Sequence, residues 1–222
     1  SRGLGDVYKR QMKEYKLPIG CDVPETIILA DGDFPSHPLA LEWLRQCPYV
    51  VCCDGAANTY IRSGRMPEAI VGDGDSLLPD IKERYASLIH SEAEQETNDL
   101  SKAFRFCLSQ ERKRITIMGA TGKREDHTIG NVSLLADYME QAEVSMMTDY
   151  GIFVPIREDS MFESYIGQQI SVFNMNSTAL SAEGLAYPLS VFTNWWQGTL
   201  NEALAKHFII RTEGKVLVFR TF

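Results

Sequence analysis

From residue 26 onward the chain alternates short apolar runs with segments of helical length, and an acid or a glycine follows most of the apolar runs. The pattern predicts strands at 26–30, 49–53, 69–71 and 114–118, with a weaker one at 88–90. Helices are predicted over 38–46, through Tyr60 and Ile61, over 99–110 and over 128–141. In the third, Leu100, Ala103, Phe104 and Cys107 keep the i, i+3, i+4, i+7 spacing of one helical face. Such alternation predicts an α/β class with a Rossmann-like parallel sheet and helices on both faces. Ligands of such sheets gather beyond the carboxyl ends of the strands. Asp54, Asp73 and Gly119 each fall just past a predicted strand, on that edge.

After about residue 142 the texture changes. Short apolar runs at 144–148, 152–156, 170–173, 179–182 and 215–219 are separated by turn residues, with a helix candidate only at 200–204. This spacing predicts a small C-terminal all-β sandwich or barrel. The expected division is an α/β domain over 12–142 and a β-rich domain over 143–222. Residues 1–11 read as a tail, because Asp6-Val7-Tyr8-Lys9-Arg10-Gln11 looks like a translated library adapter. They are set aside from fold reasoning, with Met12 a candidate start.

Charge limits the partners. A net charge of −8 over 222 residues argues against general nucleic-acid binding, which needs a basic face. An acidic chain that binds an anionic nucleotide has to recruit metal cations or place its Arg and Lys locally. No apolar run approaches the ~20 residues of a membrane-spanning helix, so no membrane partner is expected. The cysteines are Cys21, Cys47, Cys52, Cys53 and Cys107, an odd number without CxxC spacing. That predicts neither a disulfide framework nor a zinc site, and it fits a reducing cytoplasm. Cys52 and Cys53 follow an apolar run and are expected to be small buried hydrophobes.

Three acidic or glycine-rich segments carry the chemistry. In Gly72-Asp73-Gly74-Asp75-Ser76 the two acids stand two apart, so they share a face on a strand and can converge in a turn. Neighbouring hard carboxylates repel unless a cation lies between them, and Mg²⁺ takes oxygen ligands completed by substrate phosphates. A plain solvated turn is the competing reading. In Glu96-Thr97-Asn98-Asp99, Asp99 is either a further ligand or a first-turn acid favoured by the helix dipole. In Gly119-Ala120-Thr121-Gly122-Lys123-Arg124-Glu125-Asp126-His127, two residues separate the glycines and Arg124 follows Lys123, so this is not a Walker loop. A glycine turn after a strand still offers amides to phosphate, with Arg124 or Lys123 adding charge. His127 is either part of that site or a helix-start residue. Asp31-Gly32-Asp33 superficially matches the haloacid-dehalogenase Asp-x-Asp, but Phe34 and Pro35 follow, so a turn is expected. Trp195 and Trp196, read as a strand, point to opposite faces. One is then free to stack on a heteroaromatic ring or pack across a dimer interface; core packing is the alternative.

Taken in order, these segments resemble the thiamine pyrophosphokinase family from about residue 25 to the C-terminus. Asp54-Gly55-Ala56-Ala57-Asn58 is similar to its Asp-Gly-Gly/Ala-Ala-Asn turn, and Gly72-Asp73-Gly74-Asp75-Ser76 to its Gly-Asp-Phe-Asp-Ser signature. Glu96-Thr97-Asn98-Asp99 resembles Asp-x-Thr-Asp, and Gly122 to His127 resembles Gly-Gly-Arg-x-Asp-His. Gly184-Leu185, Tyr187-Pro188-Leu189 and Thr193-Asn194 are similar to its C-terminal motifs. This chain departs from the pattern at Gly74 for Phe, Lys123 for Gly, and Gln95 where Lys is frequent.

The resemblance implies a homodimer that uses Mg²⁺ to move a pyrophosphoryl group from ATP to the hydroxyl of thiamine, releasing AMP. It implies Asp73, Asp75 and Asp99 as metal ligands, catalytic together with Asp126 as a candidate base. Asp54, Gly55, Asn58, Gly119, Gly122, Arg124, His127 and Asn131 would line the nucleotide. Tyr187, Asn194 and Trp195 would hold thiamine, from the second subunit of the dimer. Two other readings stay open: a binding sensor without turnover, and a Mg²⁺-dependent phosphatase.

Overall fold

A computed structural model describes residues 12–18, 22–91 and 97–222. The tail at 1–11, Cys21, Gln95 and Glu96 lie outside the described residues. The chain runs through β1 (Lys13–Tyr15), β2 (Thr26–Leu29), α1 (Pro38–Gln46), β3 (Val50–Cys53), α2 (Ala56–Arg62) and β4 (Ala69–Val71). It continues with α3 (Pro79–Arg84), β5 (Ile89–His90), α4 (Asp99–Ser109), β6 (Arg114–Met118), α5 (Glu125–Tyr138), β7 (Glu143–Met147) and β8 (Gly151–Ile156). Then come β9 (Ser160–Glu163), β10 (Gln169–Asn174), β11 (Leu180–Glu183), β12 (Asn201–Glu202), β13 (His207–Thr212) and β14 (Val216–Thr221). Two compact units form. One comprises Pro18–Pro155 with Leu217–Phe222; the other comprises residues 12–17 with Ile156–Val216.

The first is an α/β unit whose sheet has the order β14-β8-β7-β6-β2-β3-β4-β5. Its pairs from β7 to β5 are parallel, with Ile28 opposite both Val51 and Ile117, and β8 is antiparallel to β7. β2, β3 and β4 are buried at every position, as a sheet covered on both faces requires. Side-chain alternation sends Ile27, Leu29, Val50, Cys52 and Ile70 to one face, packed with Trp43 and Leu44 of α1, Tyr60 of α2 and Ile81 of α3. On the other face the Cys53 thiol donates to the Asp99 carbonyl of α4 at 3.7 Å, and Phe104 of α4 stacks on Tyr138 of α5 at 3.9 Å. Each such buried side chain stabilises by roughly 1.5–3 kcal/mol. The predicted parallel sheet with helices on both faces is therefore present.

Some boundaries differ. α5 begins at Glu125, three residues before the predicted start, which places Asp126 and His127 in its first turn. α3 was not predicted; its six residues are too few for periodicity to reveal, although Pro79 marks its first position. Cys47, Cys52, Cys53 and Cys107 are free thiols, and burial pushes those of Cys52 and Cys53 up, in keeping with an apolar role.

The second is a β unit. Its sheet has the order β1-β9-β13-β11, with β1 parallel to β9 and the other pairs antiparallel, and β10 pairs with β12. Tyr15 stacks on Phe162 at 4.8 Å and Phe162 on Phe208 at 5.0 Å, forming an aromatic core row. The predicted helix at 200–204 is absent. Asn201 is buried there in β12 and ties both the amide and the carbonyl of Tyr187, at 3.0 and 2.8 Å. Trp195 and Trp196 do not lie on a strand either; they occupy a single 3₁₀ turn, Trp195–Gly198. Among the described residues no helix is long and apolar enough to cross a membrane.

Candidate active site

The carboxyl edge of the α/β sheet is built around Asp54. It follows β3 in the left-handed region at φ 28°, a conformation uncommon for a residue with a side chain, and its amide is held by the Val71 carbonyl at 2.9 Å. The residue is 3% exposed. One carboxylate oxygen accepts the Ser76 amide at 3.0 Å, while Oδ1 is buried with no hydrogen-bond partner. Burial raises its pKa above the usual carboxylate range, and the charges of Asp99 and Asp73 push it the same way against the Ser76 bonds. Gly72 makes the position possible: a Cβ there would stand 2.8 Å from the Asp54 Cβ.

Asp73 and Asp99 thus share an electrostatic neighbourhood with Asp54. Asp73 Oδ1 accepts the Asp75 amide at 3.0 Å and its residue is exposed. Asp99 is the first residue of α4, capped by Asn98, whose side chain accepts the Ser101 amide at 2.9 Å. It also pairs with the buried Lys102 at 3.1 Å. Asp75 lines a recess of about 460 Å³ with Gly74, Leu77, Pro79, Lys82 and Glu83, and Lys82 donates to the Gly74 carbonyl at 2.8 Å. Among the described residues, no three or more His, Cys, Asp or Glu side chains are gathered as a ready-made metal cage. Mg²⁺ is usually held by one or two carboxylates, waters and substrate phosphates rather than by such a cage. A buried Asp54 oxygen without a partner, on a carboxyl whose pKa the charges of Asp99 and Asp73 help to raise, fits that mode.

The glycine loop after β6 is fastened to the loop after β2. The amides of Gly32 and Asp33 donate to the carbonyls of Gly119 and Thr121 at 2.6 and 2.8 Å, extending the β2–β6 ladder past the strands. Gly122 has φ 99°, and a Cβ on it would run into the Asp33 carboxylate. Asn131 donates to the Ala120 carbonyl at 2.9 Å and accepts from Asn98 at 3.3 Å, linking the loop to the start of α4. Asn58 joins α2 to the segment after Asp75, donating to the Ser76 carbonyl at 2.8 Å and accepting the Leu78 amide at 3.0 Å. Gly55 lies against Asp31, whose Oδ2 would sit 2.6 Å from a Cβ there. Arg124 forks onto Asp126 at 3.0 and 2.6 Å, which holds the Asp126 carboxyl below its ordinary range. His127 is exposed in the first turn of α5.

Reading the sequence missed three participants. Asp31 does lie in a turn, but that turn is on the site edge and binds Lys123 at 3.1 Å. Ser76 supplies the amide that holds Asp54. Lys102 is a buried cation one helical turn after Asp99, and its i,i+3 spacing from that acid was a legible signal.

The β unit presents its candidates differently. Tyr187, Trp195, Trp196 and Leu200 are exposed at 63%, 42%, 72% and 79%. Trp195 meets Phe173 edge-on at 5.9 Å, and Asn194 and Gln197 cap its 3₁₀ turn reciprocally. The side chain of Asn194 is therefore partly committed to the turn that presents Trp195.

A parallel α/β sheet with acids and a glycine loop on its carboxyl edge, followed by a β unit, defines a two-part class of protein. The profile of the thiamin pyrophosphokinase catalytic domain matches residues 40–147, and that of the thiamin pyrophosphokinase substrate-binding domain matches residues 151–219. The chain belongs to the thiamine pyrophosphokinase family. It is 30% identical over 129 residues to thiamine pyrophosphokinase 1 of Oryza sativa subsp. japonica, a match covering 47% of this chain and 49% of that one. The match to thiamine pyrophosphokinase of Bacillus subtilis is 34% identical over 86 residues, 37% of this chain and 40% of the other. The chain thus spans about half the length of the curated relatives it matches or less. The structure of thiamin pyrophosphokinase from Candida albicans superposes with a TM-score of 0.78 at 18% identity, over 95% of this chain and 93% of that one, a likeness of fold.

Proposed function

We propose that this chain catalyses transfer of a pyrophosphoryl group from ATP to the hydroxyl of thiamine, giving thiamine diphosphate and AMP. The observation that carries the proposal is the buried Asp54 carboxylate, with one oxygen unpartnered and its pKa raised by burial and by the charges of Asp99 and Asp73, on the same sheet edge as the Gly119–Gly122 loop. Of the expected ligands Asp73, Asp75 and Asp99, one or two would hold Mg²⁺ together with water and the substrate phosphates, with Asp54 adding its charge and Asp75 bracing the Asp73 turn through its amide. The bound metal supplies charge neutralisation on the phosphate oxygens and the departing AMP.

The chain's own groups do the rest. The loop amides cradle the polyphosphate, with Gly55, Asn58 and Asn131 shaping its walls and His127 at the rim. Arg124 leaves Asp126 to bind phosphate, which frees the Asp126 carboxylate to take the hydroxyl proton. The thiamine oxygen bonds to the β-phosphorus as the bond from that phosphorus to the α–β bridging oxygen breaks, and AMP departs with that oxygen. Tyr187, Asn194 and Trp195 offer exposed aromatic and amide groups for a heteroaromatic cation. The exposed apolar surface of the β unit supports a homodimer in which these residues serve the second subunit.

Incubation with ATP, Mg²⁺ and thiamine, with chromatographic resolution of products, tests this. AMP and thiamine diphosphate formed one for one are expected. Inorganic phosphate as the product would indicate the phosphatase reading, and thiamine binding without turnover the sensor.

A further inference from the structure

Among the described residues, Lys102, Arg124 and Lys123 stand on the site edge paired with an acid, while Lys82 donates to the Gly74 carbonyl. Lys102 is buried and bound to Asp99, and Arg124 is held on Asp126 by a two-bond fork in which both side chains are exposed. Lys123 makes one contact, Nζ to Asp31 Oδ1 at 3.1 Å, with both side chains about half exposed at 54% and 45%. A single exposed contact of this kind is worth little, and a four-carbon stem redirects easily. Lys123 directly follows Gly122, whose left-handed backbone and close seat on Asp33 fix where the stem leaves the loop. Asp31 in turn lies against Gly55 at the start of α2, so the Asp31–Lys123 pair bridges the two glycine turns that frame the site.

Among these acids an incoming polyphosphate needs cations that are cheap to release: Arg124 has to give up two bonds to do so, and Lys123 only one. Resting on the proposed function, we infer that Lys123 is a specificity-determining residue for the polyphosphate end of the nucleotide, parked on Asp31 until it exchanges that carboxylate for a phosphate oxygen. The exchange breaks one ion pair and forms another; no covalent bond changes. Two consequences distinguish it from a lysine that merely neutralises Asp31. Removing Asp31 frees Lys123 and tightens binding. Removing both leaves binding weak.

The test measures Mg²⁺-ATP and AMP dissociation constants by calorimetry on the full chain, for wild type, Lys123→Met, Lys123→Arg, Asp31→Asn and the Asp31→Asn/Lys123→Met double variant. Loss of a charge-assisted contact predicts about tenfold weaker ATP binding in Lys123→Met, with AMP unaffected and most of the loss restored by Lys123→Arg. Asp31→Asn is expected to bind ATP a few-fold more tightly, with the double variant as weak as Lys123→Met. Wild-type ATP affinity in Lys123→Met overturns the inference, and so does recovery of wild-type affinity in the double variant. Either result leaves the proposed function standing if the wild type still makes AMP from ATP and thiamine; a wild type that binds no ATP removes both.

Discussion

The carboxyl edge of the α/β unit and the aromatic segment of the β unit hold their candidate residues by opposite means. On the edge, main-chain geometry fixes the site. Asp54 is buried at a positive φ, the Gly32 and Asp33 amides fasten the glycine loop, and Asn131 and Asn58 tie neighbouring elements by side chain. In the aromatic segment Tyr187 and Trp196 stand in solvent, and order comes from Asn201 and a single capped turn. The edge is preorganised at a cost, because its central acid has a raised pKa and an oxygen without a partner. The segment also holds one residue, Leu200, at a positive φ of 63°, but that side chain is exposed and uncharged, and the rings stay open to a partner. Charge chemistry needs fixed dipoles before the reaction begins, whereas recognition of a flat ring needs only an accessible face.

The comparison is most exposed to failure at the edge. Asp73→Asn keeps an oxygen for the Asp75 amide, so the fold should persist while the charge is lost. A fall of at least about a hundredfold in kcat is expected with the melting temperature unchanged. Turnover within a few-fold of wild type would remove Asp73 from the metal assignment.

Gly122→Ala probes preorganisation without touching charge. A methyl at φ 99° is strained and meets the Asp33 carboxylate, so the loop has to move. The KM for ATP should rise by a few tens of fold, on the order of 2 kcal/mol, with the KM for thiamine little changed. Equal effects on both would mean that the two regions are not independent.

Trp195→Ala should give the mirror result: about tenfold in the KM for thiamine, ATP affinity unchanged, and little loss of stability from a ring 42% exposed. A large drop in melting temperature would make Trp195 a packing residue.

How far the sequence reveals each region follows from the same difference. The edge was legible because parallel strands bury both faces and read as apolar runs, so the acids after them mark the carboxyl ends. Asp54, Asp73 and Gly119 were placed this way. The pairing of Arg124 with Asp126, and of Lys123 with Asp31 across 92 positions, was not legible, since neither has the i,i+3 or i,i+4 spacing that betrays an ion pair on a helix. In the β unit, Leu200 and Leu204 suggested a helix, yet both side chains are exposed, and the segment is shaped by Asn201, a single buried polar residue. β1 pairs with a strand more than a hundred residues away, and no local pattern announces such a partner.

The smallest expected effect lies at the turn between β7 and β8, which also follows the carboxyl end of a parallel strand. The Asp149 carboxylate accepts the amides of Ser36 and His37, each at 2.9 Å, and the Ser36 hydroxyl, anchoring the loop that carries Asp31 and Asp33 into α1. Burial pushes its pKa up, but the bonds from the Ser36 hydroxyl and from the two amides outweigh it and hold the carboxyl below its ordinary range. A lowered carboxylate stabilises the fold above its unfolded pKa, near about 3.9, and that contribution disappears as the pH falls through the folded value. Asp149→Asn retains an acceptor and loses the charge, so a deficit of about 1 kcal/mol is expected at pH 7, modest because the site is partly exposed. Melting curves of the two proteins should converge as the pH drops below about 4. A gap that stays constant from pH 7 to pH 3 would mean that shape rather than charge holds this loop, and would bring the edge closer in kind to the aromatic segment.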